Sequence, residues 1–242
     1  MGNEFNYNNK EIIKISYPSF FDYLKMRVLD GVSLEILNLI VEQSDVYIFS
    51  GIIRDYFLQN NKPIRDIDIV IAHNINWLSI IRKYHHLTQI TKNSFGGYKI
   101  RINNLTIDLW SLKDTWGIIH GKYKLTPQNL IRTAFFNFSA ILYSIRDRQF
   151  YIHKSFSSFL YNKEIDVVYQ VNPNIPLCII NSLHYSRTLK MNLSESLKRW
   201  IIDHFNINYN YELTQQKHWH RIQYTNDEIF TFCLHCKYSL KK

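Results

Sequence analysis

Apolar and polar positions along the chain follow two different periods, and the switches between them mark elements. Ser33-Leu34-Glu35-Ile36-Leu37-Asn38-Leu39-Ile40-Val41 spaces its apolar residues for one face of a helix behind a serine cap. Val46-Tyr47-Ile48-Phe49 is a short continuous apolar run and predicts a buried strand. The run breaks at Ser50-Gly51, Ile52 to Leu58 predicts a helix, and Asn60-Asn61-Lys62-Pro63 predicts a loop. Ile64 to Ala72 predicts a second strand and Trp77 to Tyr84 a further helix. Gly96-Gly97 leads into a strand from Tyr98 to Ile102, Asn103-Asn104 is a tight-turn signal, and Leu105 to Trp110 is the hairpin partner. From Gln128 onward the pattern is mostly helical, apart from a hairpin-like stretch near Ile141 to His153. This order predicts an α+β fold: a small mixed sheet with flanking helices, then a mainly helical segment.

Composition narrows the class. The 242 residues are 46% hydrophobic and include 5 Trp, 17 Tyr and 15 Phe, which excludes a disordered chain. No apolar run approaches the ~20 residues of a membrane-spanning helix. The first residues carry no apolar signal region and Asn6 stands where a myristoylation signal needs Ser or Thr, so a cytoplasmic protein is expected. A net charge of +9 favours a polyanionic partner such as RNA, although a Lys-, Asn-, Ile- and Tyr-rich composition also fits an AT-rich genome. Cys178, Cys233 and Cys236 make no disulfide framework. His218-x-His220 followed by Cys233-x-x-Cys236 offers four zinc-type ligands at an unusual spacing, and an ordinary reduced tail is the simpler reading.

The candidate chemistry lies in Arg65-Asp66-Ile67-Asp68-Ile69-Val70. Side chains at i and i+2 of a strand share a face, so Asp66 and Asp68 stand side by side while Ile67 and Ile69 turn away. In Thr106-Ile107-Asp108-Leu109-Trp110, Asp108 alternates with apolar neighbours in the same way. Paired strands would bring the three carboxylates together. Such a cluster repels itself unless a cation is shared, and hard divalent ions take oxygen ligands. Three carboxylates suffice for two Mg2+ ions ~3.5–4 Å apart, the arrangement that activates a hydroxyl and neutralises a leaving pyrophosphate. The Ser50-Gly51 turn ahead of a helix suits a phosphate group.

Ser50-Gly51-Ile52-Ile53-Arg54-Asp55 together with Arg65 to Val70 resembles the head of the CCA-adding enzyme and bacterial poly(A) polymerase family, within the DNA polymerase beta-like nucleotidyltransferases. The family pattern is G-G-x-x-R-D followed by D-x-D, and Ser50 replaces its first Gly. Arg132 to Ala140 is similar to the family's R-R-D-F-T-I-N-A segment and keeps Arg132 and Asn137. Asn174 to Arg187 is similar to the neck motif E-D-P-x-R-I-L-R-A-x-R-F in Pro176, Leu177, Ile179, Leu183 and Tyr185, whereas its Glu, Asp and Arg are Asn174, Ile175 and Cys178. The Asp and Arg are the groups that read the incoming base.

The resemblance implies a nucleotidyltransferase head over residues 1–150, a helical neck over 151–205 and a tail over 206–242. It implies Asp66, Asp68 and Asp108 as catalytic metal ligands, with Mg2+ as cofactor and an NTP as substrate. Ser50, Gly51, Arg54, Asp55, Arg132 and Asn137 become the nucleotide-binding residues. The expected reaction moves NMP to an acceptor hydroxyl, an RNA or tRNA 3′ end, with base selection unlike CCA addition. Small members of the superfamily include toxins and defence proteins, and a protein acceptor is a further alternative. A non-catalytic nucleotide- or RNA-binding module is the reading from another class.

Overall fold

Eight strands hydrogen-bond into one mixed sheet in the computed structural model, which describes residues 12–60, 63–73, 75–86, 88–92 and 96–240. The chain divides into two compact units, residues 1–134 with 138–157, and residues 135–137 with 158–242.

The first unit runs β1 (Ile12–Ser16), α1 (Ser19–Arg27), α2 (Gly31–Val41), β2 (Val46–Phe49), α3 (Gly51–Phe57), β3 (Asp66–Ile71), α4 (Trp77–Arg82), β4 (Thr88–Lys92), β5 (Tyr98–Ile102), β6 (Leu105–Ser111), α5 (Trp116–His120), α6 (Pro127–Arg132), β7 (Ile141–Ser144) and β8 (Gln149–His153). The sheet order is β1-β8-β7-β2-β3-β6-β5-β4. Within it β3 and β6 run parallel, and the other neighbours are antiparallel.

Two expectations change here. The sheet is not small, because β1 and β4 extend it at either edge; Thr88-Gln89-Ile90-Thr91-Lys92 carries one apolar residue and gives no period to detect. The cap of α2 is Asp30 rather than Ser33: its carboxylate accepts the Ser33 amide at 2.8 Å and the Ser33 hydroxyl at 2.7 Å.

The two faces of the sheet differ. Val46, Ile48, Ile67, Ile69, Ile71, Ile100, Ile102, Ile107 and Leu109 are buried on one. On the other, Tyr47, Val70, Leu142 and Tyr151 pack with Leu112, Ile118, Leu130 and Ile131, and the partly buried Phe49 and Trp110 close the cluster. That second face is therefore apolar at the C-terminal end of β3 and acidic at its N-terminal end. The strand reads both ways because residues 66, 68 and 70 share one side of the pleat.

The unit boundary falls inside α7 (Lys154–Asn162), not at residue 150. β8 is bonded between β1 and β7, so the chain cannot leave the sheet before it. Residues 158–242 also form one unit rather than a separate neck and tail. This unit contains β9 (Glu164–Ile165), α8 (Ile175–Leu189), β10 (Asn192–Leu193), α9 (Glu195–His204), α10 (Tyr211–Trp219) and α11 (Asn226–Ser239). Asn174, Ser194, Asn210 and Thr225 each cap a helix by accepting an amide three residues on. Among the described residues, no helix is long and apolar enough to cross a membrane.

Candidate active site

The parallel pairing of β3 with β6 sets Asp68 opposite Asp108 and Asp66 opposite Thr106. Neighbouring strands lie ~4.8 Å apart. All three carboxylates thus stand on one patch of the acidic face, as the alternation of apolar residues requires. Phe49 is opposite Asp68 on the other flank, and its ring meets Trp110 edge-on at 6.2 Å, which closes the apolar end of the patch.

β5 adds Lys99, which with Arg101 reads from the sequence either as a solvated face or as a contact to triphosphate or RNA. Lys99 is opposite Asp108, with Nζ 3.4 Å from Oδ2. The two-residue turn at Asn103-Asn104 enforces this register: Ile102 meets Leu105, and counting outward brings Lys99 to Asp108. Asn103 takes the left-handed φ of 52° that such a turn needs. The turn signal and the strand lengths together contained this pairing.

The electrostatics follow from the crowding. Burial, then Asp108, then Asp66 push the Asp68 carboxyl up to about 7, while Lys99 and Arg54 oppose the shift. Asp108 is also raised, chiefly by burial, with Lys99 acting against it. Three hard oxygen donors crowded on one patch suit a divalent cation such as Mg2+, whose charge relieves their mutual repulsion. Among the described residues, no three His, Cys, Asp or Glu side chains are already drawn into a metal cage. Asp108 instead takes the Lys99 ammonium as its cation.

The Ser50-Gly51 turn follows Phe49 directly and so enters beside Asp68. The unusual backbone conformation of this turn is at Ser50, with φ 62°, ψ −110° and its hydroxyl donating to Ser139 Oγ at 2.8 Å. Gly51 opens α3 with empty space where a side chain would stand. Arg54 binds Asp55 through Nη2 at 2.8 Å and Nε at 2.9 Å, and lies 5.4 Å from the centre of the Phe138 ring. Arg132, at the end of α6, donates to Asn129 Oδ1 at 3.1 Å.

Asn137 belongs to the other unit. It is buried, its amide and side-chain nitrogens donate to the Asp166 and Glu164 carbonyls at 2.9 Å, and its Oδ1 has no hydrogen-bond partner. These bonds tie residues 135–137 to the segment after α7, so a structural role is built in. In the neck-like helix α8, Ile179 and Leu183 are core, Asn174 is the cap and Cys178 is a buried thiol pushed up to about 12 by desolvation. Cys233 and Cys236 are also buried, and burial raises them to about 12 and about 11. His218 Nε2 meets Asn174 Nδ2 at 2.7 Å, and no His–Cys group is gathered among the described residues.

No family model matches the sequence, and no curated protein matches it. Solved structures do match by shape. A Thermotoga maritima CCA-adding enzyme complexed with tRNA has a TM-score of 0.58 at 16% identity, over 81% of this chain and 46% of that one. A CCA-adding enzyme with CTP has a TM-score of 0.57 at 16% identity, over 80% and 46%. A tRNA nucleotidyltransferase with a primer tRNA and an ATP analogue has a TM-score of 0.54 at 20% identity, over 70% and 49%. This chain thus spans under half the length of the chains it matches. The protein shares the fold of the parts of these CCA-adding enzymes and this tRNA nucleotidyltransferase that it matches.

Proposed function

We propose that this protein transfers a nucleoside monophosphate from an NTP to the 3′ hydroxyl of an RNA acceptor, releasing pyrophosphate. The observation that carries this reading is the register of β3 and β6, which unites Asp66, Asp68 and Asp108 on one open patch. Asp66 and Asp68, with Asp108 as third ligand, would hold Mg2+, which would supply charge neutralisation for the phosphates of the NTP. Ser50 and the Gly51 and Ile52 amides at the start of α3 face the triphosphate. Asp108 orients the acceptor hydroxyl. It takes the hydroxyl proton as the new P–O bond forms and the bond to pyrophosphate breaks. Positioning and electrostatics suffice for such a reaction without a covalent intermediate.

Base selection differs from CCA addition in this reading, because Ile175 and the buried thiol Cys178 stand where the motif has its base-reading Asp and Arg. The same observation favours a second reading, a nucleotide- or RNA-binding module without catalysis. Incubation with labelled NTPs and total RNA and protein decides between them. Labelled RNA that requires a divalent metal and disappears in Asp66→Ala and Asp68→Ala supports transfer. Nucleotide binding with no pyrophosphate release supports the module.

A further inference from the structure

The acidic patch has two unlike flanks. On the β2 side lies the Ser50-Gly51 turn, one residue beyond the partner of Asp68. On the β5 side the same face presents Lys99, opposite Asp108, and Arg101, opposite Thr106. The next strand continues the two rows with Thr91 and Gln89, both exposed and uncharged. Lys99 keeps 43% of its side chain exposed and Arg101 is exposed, so both can meet a ligand lying on the sheet. Successive same-face positions on a strand are ~6.6 Å apart, the scale of one nucleotide step along a backbone. Directly opposite Arg101 on the two adjacent strands stand the uncharged Gln89 and Thr106.

We infer that Lys99 and Arg101 form a cationic track that holds backbone phosphates of a single-stranded RNA acceptor as its 3′ hydroxyl reaches Asp108. The inference rests on the nucleotidyl-transfer reading and divides the patch between its reactants: the NTP lies toward β2 and the acceptor toward β5. Charge complementarity selects the occupant, since polyanion backbones are recognised first through Lys and Arg contacts to phosphate. Arg101 and Lys99 are positioning residues here; neither touches the reacting phosphorus.

The test is anisotropy of a 5′-labelled single-stranded RNA with the full chain in chelator, across a salt series. Each lost phosphate contact lowers the slope of log K against log salt by about 0.7. The Lys99→Gln/Arg101→Gln double variant is expected to lose about 1.4 of slope. Lys99→Arg/Arg101→Lys keeps the slope, as does Lys83→Gln at an exposed position after α4. A double variant with the wild-type slope overturns the proposal, as does labelling of a protein in place of RNA. The two readings fail separately: a reduced slope without nucleotide incorporation by wild type sinks the transfer reading alone. Incorporation that depends on Asp68, with an unchanged slope, sinks the track alone.

Discussion

Asp68 and Asp108 face each other across two parallel strands, so the folded protein confines two like charges that the unfolded chain keeps far apart. The Asp68 carboxyl, near 3.9 when unfolded, is held up to about 7 when folded. The folded state therefore binds the extra proton in that interval, and stability drains away as pH rises through it. Each unit of raised pKa corresponds to about 1.4 kcal/mol. Solvent screening of a half-buried group brings the expected loss from pH 4 to 8 to on the order of 1–3 kcal/mol. Thermal melts across this range in chelator should show the decline, Asp68→Asn should flatten it, and Mg2+ should stabilise the protein more at pH 8 than at pH 5.

Removing a like charge should strengthen the metal-free fold while abolishing its chemistry. Asp68→Asn and Asp108→Asn are each expected to lower pyrophosphate release by about a hundred- to a thousandfold, the scale on which a single electrostatic catalytic group acts. At pH 8 without metal, Asp68→Asn should raise the melting temperature. Asp108→Asn should raise it less, because it also breaks the ion pair with Lys99. Melts that fall in both variants would contradict the crowding argument.

Ser50 carries a backbone conformation that favours glycine, which costs about 1–3 kcal/mol, and offsets part of it with the hydroxyl bond to Ser139. Ser50→Ala keeps the strain and loses the bond. Ser50→Gly loses the bond but releases the strain. Urea titration should find the alanine variant less stable than the glycine variant by about 1 kcal/mol.

The three cysteines are neutral core thiols at neutral pH, because burial raises each to about 11 or 12. A thiol reagent at pH 8 is expected to label the native chain slowly and all three positions rapidly after denaturation. A chelator should leave the melting temperature of the helical unit unchanged. Stoichiometric zinc in purified protein, with destabilisation on its removal, would instead establish a metal site in the tail.

Alternation and turn chemistry made the central strands readable. Val46 to Phe49 and Tyr98 to Ile102 lie where the apolar pattern placed them, and β3 differs only at its ends. The acids were legible because Asp66, Asp68 and Asp108 interrupt apolar runs at every second position. The edge strands β1 and β4 were not. An edge strand is held by backbone bonds to one neighbour, so its side chains need carry no pattern. The unit boundary was hidden for a related reason: beyond its hairpin with β7, β8 is also bonded to β1, a strand more than a hundred residues earlier.

The sequence by itself determined which residues share a face, because the pleat repeats every two residues whatever the strand pairs with. It also contained the Lys99–Asp108 pairing, since a two-residue turn leaves a hairpin one register. Tertiary structure alone decided that β3 lies beside β6 in parallel and in step. No local turn joins those strands; their alignment is settled by the packing of Ile67, Ile69, Ile107 and Leu109 on the buried face, and Asp68 meets Asp108 on the other face as a consequence.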